Sequence, residues 1–204
     1  MRSSGIVDNI EFIKRLIDGV KVFFNFNVTE VKSTKHNSKI IFDKHGHTLN
    51  AQTIIWANGF NITDVCDKIP VKPVSGQVTY LKSNSQTSKL KLNFSYGQFF
   101  SQSFEGYHQI GSSFNRNTNV NFNQNDQNKN LSSIPEFLKE RAINSNIDLN
   151  EYRVSIRSST KDRMPFFCKL NEIKQNNFEN EYVLGGMGAW GFVYAPYYAE
   201  LMIT

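Results

Sequence analysis

With 204 residues, 39% hydrophobic and 13% aromatic, the chain can bury one good-sized core, as one globular unit or two intimate lobes, and is too apolar to be disordered. The net charge of +5 and pI near 9.1 come from scattered lysines rather than a basic block, which fits weak attraction to a polyanion such as RNA and equally an ordinary soluble enzyme. No apolar run approaches the roughly 18 residues of a membrane helix and no signal peptide opens the chain, so a soluble, cytoplasmic protein is expected.

Met1 to Gly5 leads straight into a helix. Asp8 and Glu11 have capping-box spacing, and Ile10, Ile13, Leu16, Ile17 and Val20 form one apolar stripe with Gly19 as a stop. Val20 to Val31 alternates like a strand, Lys39 to Asp43 makes another, and a turn follows at His45-Gly46. Thr53 to Ala57 reads as a short apolar strand buried on both faces, ending at Asn58-Gly59. From Pro70 the pattern becomes that of an antiparallel sheet, with strands at Val74–Leu81, Leu90–Phe94, Gln98–Phe104 and Tyr107–Ser112. Asn115 to Asn130 is so polar that a surface loop is expected. A helix follows from Ile134 to Asn144, capped by Ser132 or Ser133 with Pro135 in its first turn. Strands at Tyr152–Arg157 and Tyr182–Leu184, a glycine-rich stretch and a final helix from about Pro196 complete the chain, which closes at Thr204 inside an apolar segment. Both ends read as cut from something longer.

Cys66 and Cys168 lie far apart with no CxxC, which predicts two small, reduced, buried side chains. His36, His45 and His47 fall in a polar hairpin region and His108 near another turn, and no metal site is expected of them. The order of elements predicts an α+β fold, with an α/β layer, an antiparallel sheet and a return to the first layer.

Three segments could carry chemistry. Ala57-Asn58-Gly59 ends a buried strand, where an α/β sheet opens its ligand crevice, and is equally an ordinary strand-ending turn. Gly185 to Gly191 places four glycines in seven residues between a strand and a helix, allowing close backbone approach and free N–H groups at the helix start. It is neither a GxGxxG fingerprint nor a P-loop. Arg153, Ser155 and Arg157 share one strand face, where a guanidinium could hold a carboxylate by two parallel bonds or simply form a solvated basic edge.

In this order the segments resemble the D-amino-acid oxidase/glycine oxidase superfamily of FAD-dependent oxidoreductases. Thr53 to Gly59 is similar to its late FAD-domain strand, Arg157-x-x-Thr160-x-Asp162-x-x-Pro165 to its Arg-x-x-Thr-x-Asp-x-x-Pro signature, and Gly186-x-Gly188-x-x-Gly191 with Ala195-Pro196 and Ala199-Glu200-Leu201 to its closing loop and helix. Val74 to Val78 and Ile110 to Phe114 resemble substrate-domain strands of the branch that modifies the tRNA wobble uridine through a bifunctional enzyme. Ser75 and Trp190 stand where that branch carries Arg.

The resemblance implies an incomplete FAD-binding α/β layer, lacking its first βαβ unit, with an antiparallel substrate lobe. Its divisions would be residues 1–69 (FAD-binding remainder), 70–158 (substrate lobe) and 159–204 (return to the FAD lobe). By the same resemblance, Val28, Ala57, Asn58, Gly59, Gly186, Met187, Gly188, Ala189, Trp190, Gly191 and Phe192 would contact FAD, and Arg157 and Gly111 the substrate. It implies oxidative removal of the carboxymethyl group from carboxymethylaminomethyl-(2-thio)uridine of tRNA, with a fused methyltransferase domain as a further expectation. A glycine- or sarcosine-type amino-acid oxidase and a non-catalytic remnant are the alternatives.

Overall fold

The computed structural model describes residues 8–34, 38–143, 151–174 and 179–202; His36, Met1 to Gly5 and Thr204 lie outside them. The chain divides into two compact units, Met1–Ile54 and Ile55–Thr204.

In the first unit, α1 (Asn9–Leu16) starts where the spacing predicts: Asp8 Oδ1 accepts from the N–H groups of Ile10 at 3.0 Å and Glu11 at 3.1 Å. Its apolar residues Ile10, Ile13 and Leu16 are exposed. Strands β1 (Val28–Ser33), β2 (Lys39–Asp43) and β3 (Thr48–Ala51) form an antiparallel sheet in that order. The β2–β3 turn is set by Asp43, whose Oδ1 accepts from the His45 and His47 N–H groups at 2.8 Å each, while Oδ2 meets His47 Nδ1 at 2.9 Å. The strand expected from Val20 begins only at Val28. Asn25 takes φ +60° within a turn, and a left-handed residue cannot continue an extended strand.

The second unit contains two cores. The larger sheet, ordered β6-β7-β8-β5-β9, is antiparallel and centred on β5 (Lys72–Lys82), with β6 (Phe94–Tyr96), β7 (Gln98–Phe100), β8 (Tyr107–Gly111) and β9 (Tyr152–Ser159). Leu81, Phe100 and Ile110 pack with Ile134, just before α3 (Glu136–Ile143), and with Leu138 within it. Each such buried side chain contributes about 1.5–3 kcal/mol. Leu90 to Asn93 do not form the expected strand: Leu90 closes a 3-10 turn, donating its N–H to Thr87 O.

The expected loop at 115–130 contains a helix, α2 (Gln124–Ser132). Asn123 caps it through its side chain, at 2.9 Å from Asn125 N and 3.2 Å from Asp126 N. Its buried face consists of the amides Gln127 and Asn130, so apolar periodicity could not reveal it.

The second sheet runs β10-β11-β4, from β10 (Phe166–Lys169), β11 (Glu181–Gly185) and β4 (Ile54–Trp56). Only Ile54 of β4 is buried and Ile55 is exposed, so this strand is not covered on both faces as expected. Ile62 and Cys66, in and after the 3-10 turn Gly59–Asp64, pack with Ile69, with Leu170 of α4 (Leu170–Ile173) and with Val183. Cys66 is buried and Cys168 half-buried, and both are free thiols. The last helix, α5 (Gly191–Leu201), starts before Pro196, with Trp190 O accepting from Val193 and Tyr194. Pro196 interrupts its ladder without ending it. The architecture is α+β, as the sequence predicts, and among the described residues no helix is long and apolar enough to cross a membrane.

Candidate functional site

Antiparallel pairing sets one wall of the site. Val74 of β5 lies opposite Arg157 of β9, and side chains directly opposite share a face. The other wall is the loop after β11, drawn onto β9 by a bridge between Met187 and Ser159 and by the Gly188 N–H donating to Ser158 O at 2.8 Å. Between them is a cleft of about 310 Å³, lined by Val74, Phe114, Arg157, Ser159, Arg163, Met187, Gly188, Ala189 and Trp190.

Arg157 is its half-buried cation. Burial pushes the guanidinium below its ordinary pKa, because charge loses solvation in a partly apolar site. Its Nη2 donates to Ser112 Oγ. No carboxylate pairs with it among the described residues, and the cleft lining contains no acid. A guanidinium so placed has unused donors and takes an anion, preferably a planar carboxylate.

The loop glycines do different work. Gly186 has φ +73°, and a Cβ there would meet Thr160 Cγ2 at 2.7 Å and Met164 O at 3.2 Å; packing requires it. Gly188 has φ +54°, with nothing within 4 Å of a Cβ position, so its backbone is open to the cleft. Trp190, beside it, is 61% exposed. Gly191 and Phe192 begin α5, whose N-terminus has no side-chain cap and whose Val193 and Tyr194 N–H groups are taken up by Trp190 O. The loop therefore offers an open backbone and an exposed aromatic ledge to a flat group such as a flavin.

The remaining nominated residues lie elsewhere. Ala57, Asn58 and Gly59 are exposed at the end of β4, and Gly59 has φ +65° with open space at its Cβ position. Val28, 44% exposed, starts β1 in the first unit. Gly111 does not line the cleft: a Cβ on it would meet Gln77 O at 3.0 Å and Asn130 Nδ2 at 3.2 Å, so it serves close packing. Ser75 points its hydroxyl to Asn117 Oδ1 at 2.8 Å and is absent from the lining.

Sequence reasoning did not nominate Val74, Phe114, Ser159 or Arg163. Val74 could have been found from its β5–β9 register. Arg163, at φ +64°, follows Asp162, whose carboxyl is held below its usual pKa by the Met164 N–H with Thr160 beside it. A second, more open hollow of about 570 Å³ in the first unit is lined by Val22 to Phe26, Asp43, His45, His47, Thr48 and Leu49. It contains none of the nominated residues. No cluster of three metal-ligating side chains occurs among the described residues.

The family pattern described as FAD dependent oxidoreductase (DAO) matches residues 8–204. The chain is 28% identical over 177 residues to the tRNA 5-methylaminomethyl-2-thiouridine biosynthesis bifunctional protein MnmC of Idiomarina loihiensis, covering 84% of this chain and 28% of that protein. Among solved structures, it is similar to iminodiacetate oxidase from Chelativorans sp., with TM-score 0.69 and 15% identity over 92% of this chain and 50% of that one. Glycine oxidase from Bacillus cereus gives TM-score 0.68 and 17% identity, over 92% of this chain and 51% of that one. The chain thus spans under a third of the curated relative and about half of these oxidases.

Proposed function

The chain belongs to the DAO family of FAD-dependent oxidoreductases, and from that premise we propose that it serves the oxidative removal of the carboxymethyl group from carboxymethylaminomethyl-(2-thio)uridine at the tRNA wobble position. The observation that carries this reading is the half-buried Arg157, without an acid partner among the described residues, facing an open glycine loop across one cleft. Likeness to a tRNA thiouridine biosynthesis protein over 84% of the chain supports the choice of substrate.

In this reading Arg157 grips the substrate carboxylate and thereby fixes the neighbouring methylene. Gly188 would let the flavin lie against the backbone, with Met187 and the Gly191 end of α5 offered to it, and Ala57, Asn58 and Gly59 would contribute to the dinucleotide grip. Bound FAD would supply the hydride acceptor for oxidation of that methylene. Water then adds to the resulting imine, and the C–N bond breaks to give glyoxylate and the primary aminomethyl nucleoside. A neutral bound amine needs no strong protein base, so the protein's work is positioning and exclusion of water. Losing a bidentate guanidinium–carboxylate pair costs about 2–4 kcal/mol of substrate binding.

The reading extends to tRNA as partner, the cytoplasm as setting, a companion methyltransferase domain, and the divisions 1–69, 70–158 and 159–204. The likeness to iminodiacetate and glycine oxidases favours a second reading, oxidation of a small amino acid such as glycine or sarcosine. Turnover by the flavin-loaded protein on undermodified tRNA, glycine and sarcosine separates the two. Turnover on tRNA alone is expected, whereas turnover confined to the free amino acids contradicts the tRNA assignment.

A further inference from the structure

Gly76 of β5 is a glycine for a reason that backbone conformation does not supply, since it is not among the residues with positive φ. A Cβ at this position would lie 2.7 Å from Arg157 Nη2 and 2.7 Å from Ser113 O, with Arg157 Cζ at 3.2 Å. The missing methyl leaves a slot in the sheet face, and the guanidinium lies in it.

The other side of the slot cannot retreat easily. Ser113 donates its N–H to Gln77 O at 3.1 Å, and its Oγ accepts from Gln77 N at 2.9 Å. The same Oγ donates to Asp126 Oδ2 at 2.9 Å, while Asn130 Nδ2 holds Gln77 O at 2.9 Å. A methyl at 76 therefore meets both the arginine tip, which can swing away, and the clamped Ser113 carbonyl, which cannot do so easily. Ser112 Oγ accepts from Nη2 and completes the hold.

We propose that Gly76 and Ser112 are positioning residues that preset the Arg157 guanidinium for a carboxylate. The slot removes freedom that a long side chain of three methylenes would otherwise lose on binding. This inference rests on the reading of Arg157 as the carboxylate holder.

The test is a double-mutant cycle on the whole chain. Sarcosine is the probe, its affinity is read by NMR chemical-shift titration, and thermal midpoints are recorded for each variant. Arg157→Lys is expected to weaken sarcosine about tenfold, since lysine lacks the planar fork. Gly76→Ala is expected to weaken it about tenfold with Arg157 present and less than about twofold in the Arg157→Lys background. A purely structural role for Gly76 predicts equal losses in both backgrounds, and that result overturns the slot while leaving the function of Arg157 intact. Unchanged affinity in Arg157→Lys removes both the slot and the carboxylate assignment. Should Gly76→Ala fail to fold, Ser112→Ala, which adds no atoms, is expected to lower affinity about threefold only where Arg157 is present; no loss there overturns the proposal.

Discussion

The two walls of the cleft are built on opposite principles. The β5–β9 wall is anchored in a sheet braced by buried polar bonds: the Gln77 amide exchanges two bonds with the Asn123 backbone, at 2.8 and 3.1 Å, and Asp126 receives Ser113 and Asn115. The opposite wall leads into α5, an apolar helix with no buried residue, tied to Pro165 O by the Tyr198 hydroxyl at 2.9 Å. One wall holds a cation at a fixed point, and the other offers open backbone and exposed aromatic surface. Fixed charge suits orientation of a substrate, whereas an open apolar ledge suits a large flat cofactor.

That contrast predicts a steep gradient in the cost of substitution. Phe100→Ala removes a buried ring stacked on His108 at 4.8 Å and should cost about 3–5 kcal/mol in chemical denaturation. A loss below about 1 kcal/mol would mean that the sheet side is not the rigid half. Gln77→Ala breaks both bonds to Asn123 and should cost about 1–3 kcal/mol; hydrogen exchange should show faster opening of α2 than of α4. Acid should act on the same side through His108, whose pKa is lowered by burial against an opposing bond to Ser101 O. Its folded pKa lies below the unfolded value, so the unfolded chain binds the proton first, and stability falls as pH drops below about 6.5 towards the folded value. Midpoints measured between pH 7.5 and about 5 should show this slope, and His108→Phe should flatten it. At the other extreme, Val193→Ser on exposed α5 should change stability by less than about 0.5 kcal/mol. A large loss would show that the helix is buried.

The same contrast explains what could be read from the sequence. Arg157 and the Gly186–Gly191 loop stood out because strand alternation and clustered glycines leave direct marks, and the cleft brings Arg157 together with Met187 to Trp190. Gly76 left no mark, since a space-making glycine inside a strand looks like any other until its cross-strand neighbour is known. The α2 helix was hidden because it docks through Gln127 and Asn130 rather than an apolar stripe. β10 was missed because a four-residue strand is too short to show a period. α5 was read from Pro196 because proline marks first turns, whereas here Trp190 starts the helix.

The central claim, that Arg157 holds a carboxylate beside the glycine loop, is tested most directly by titrating the protein with iminodiacetate while following backbone amide signals. The account predicts saturable shifts at Met187, Gly188, Ala189 and Trp190 that disappear in Arg157→Ala. Shifts that persist in that variant, or that fall instead on the hollow around Asp43 and His47, would contradict it.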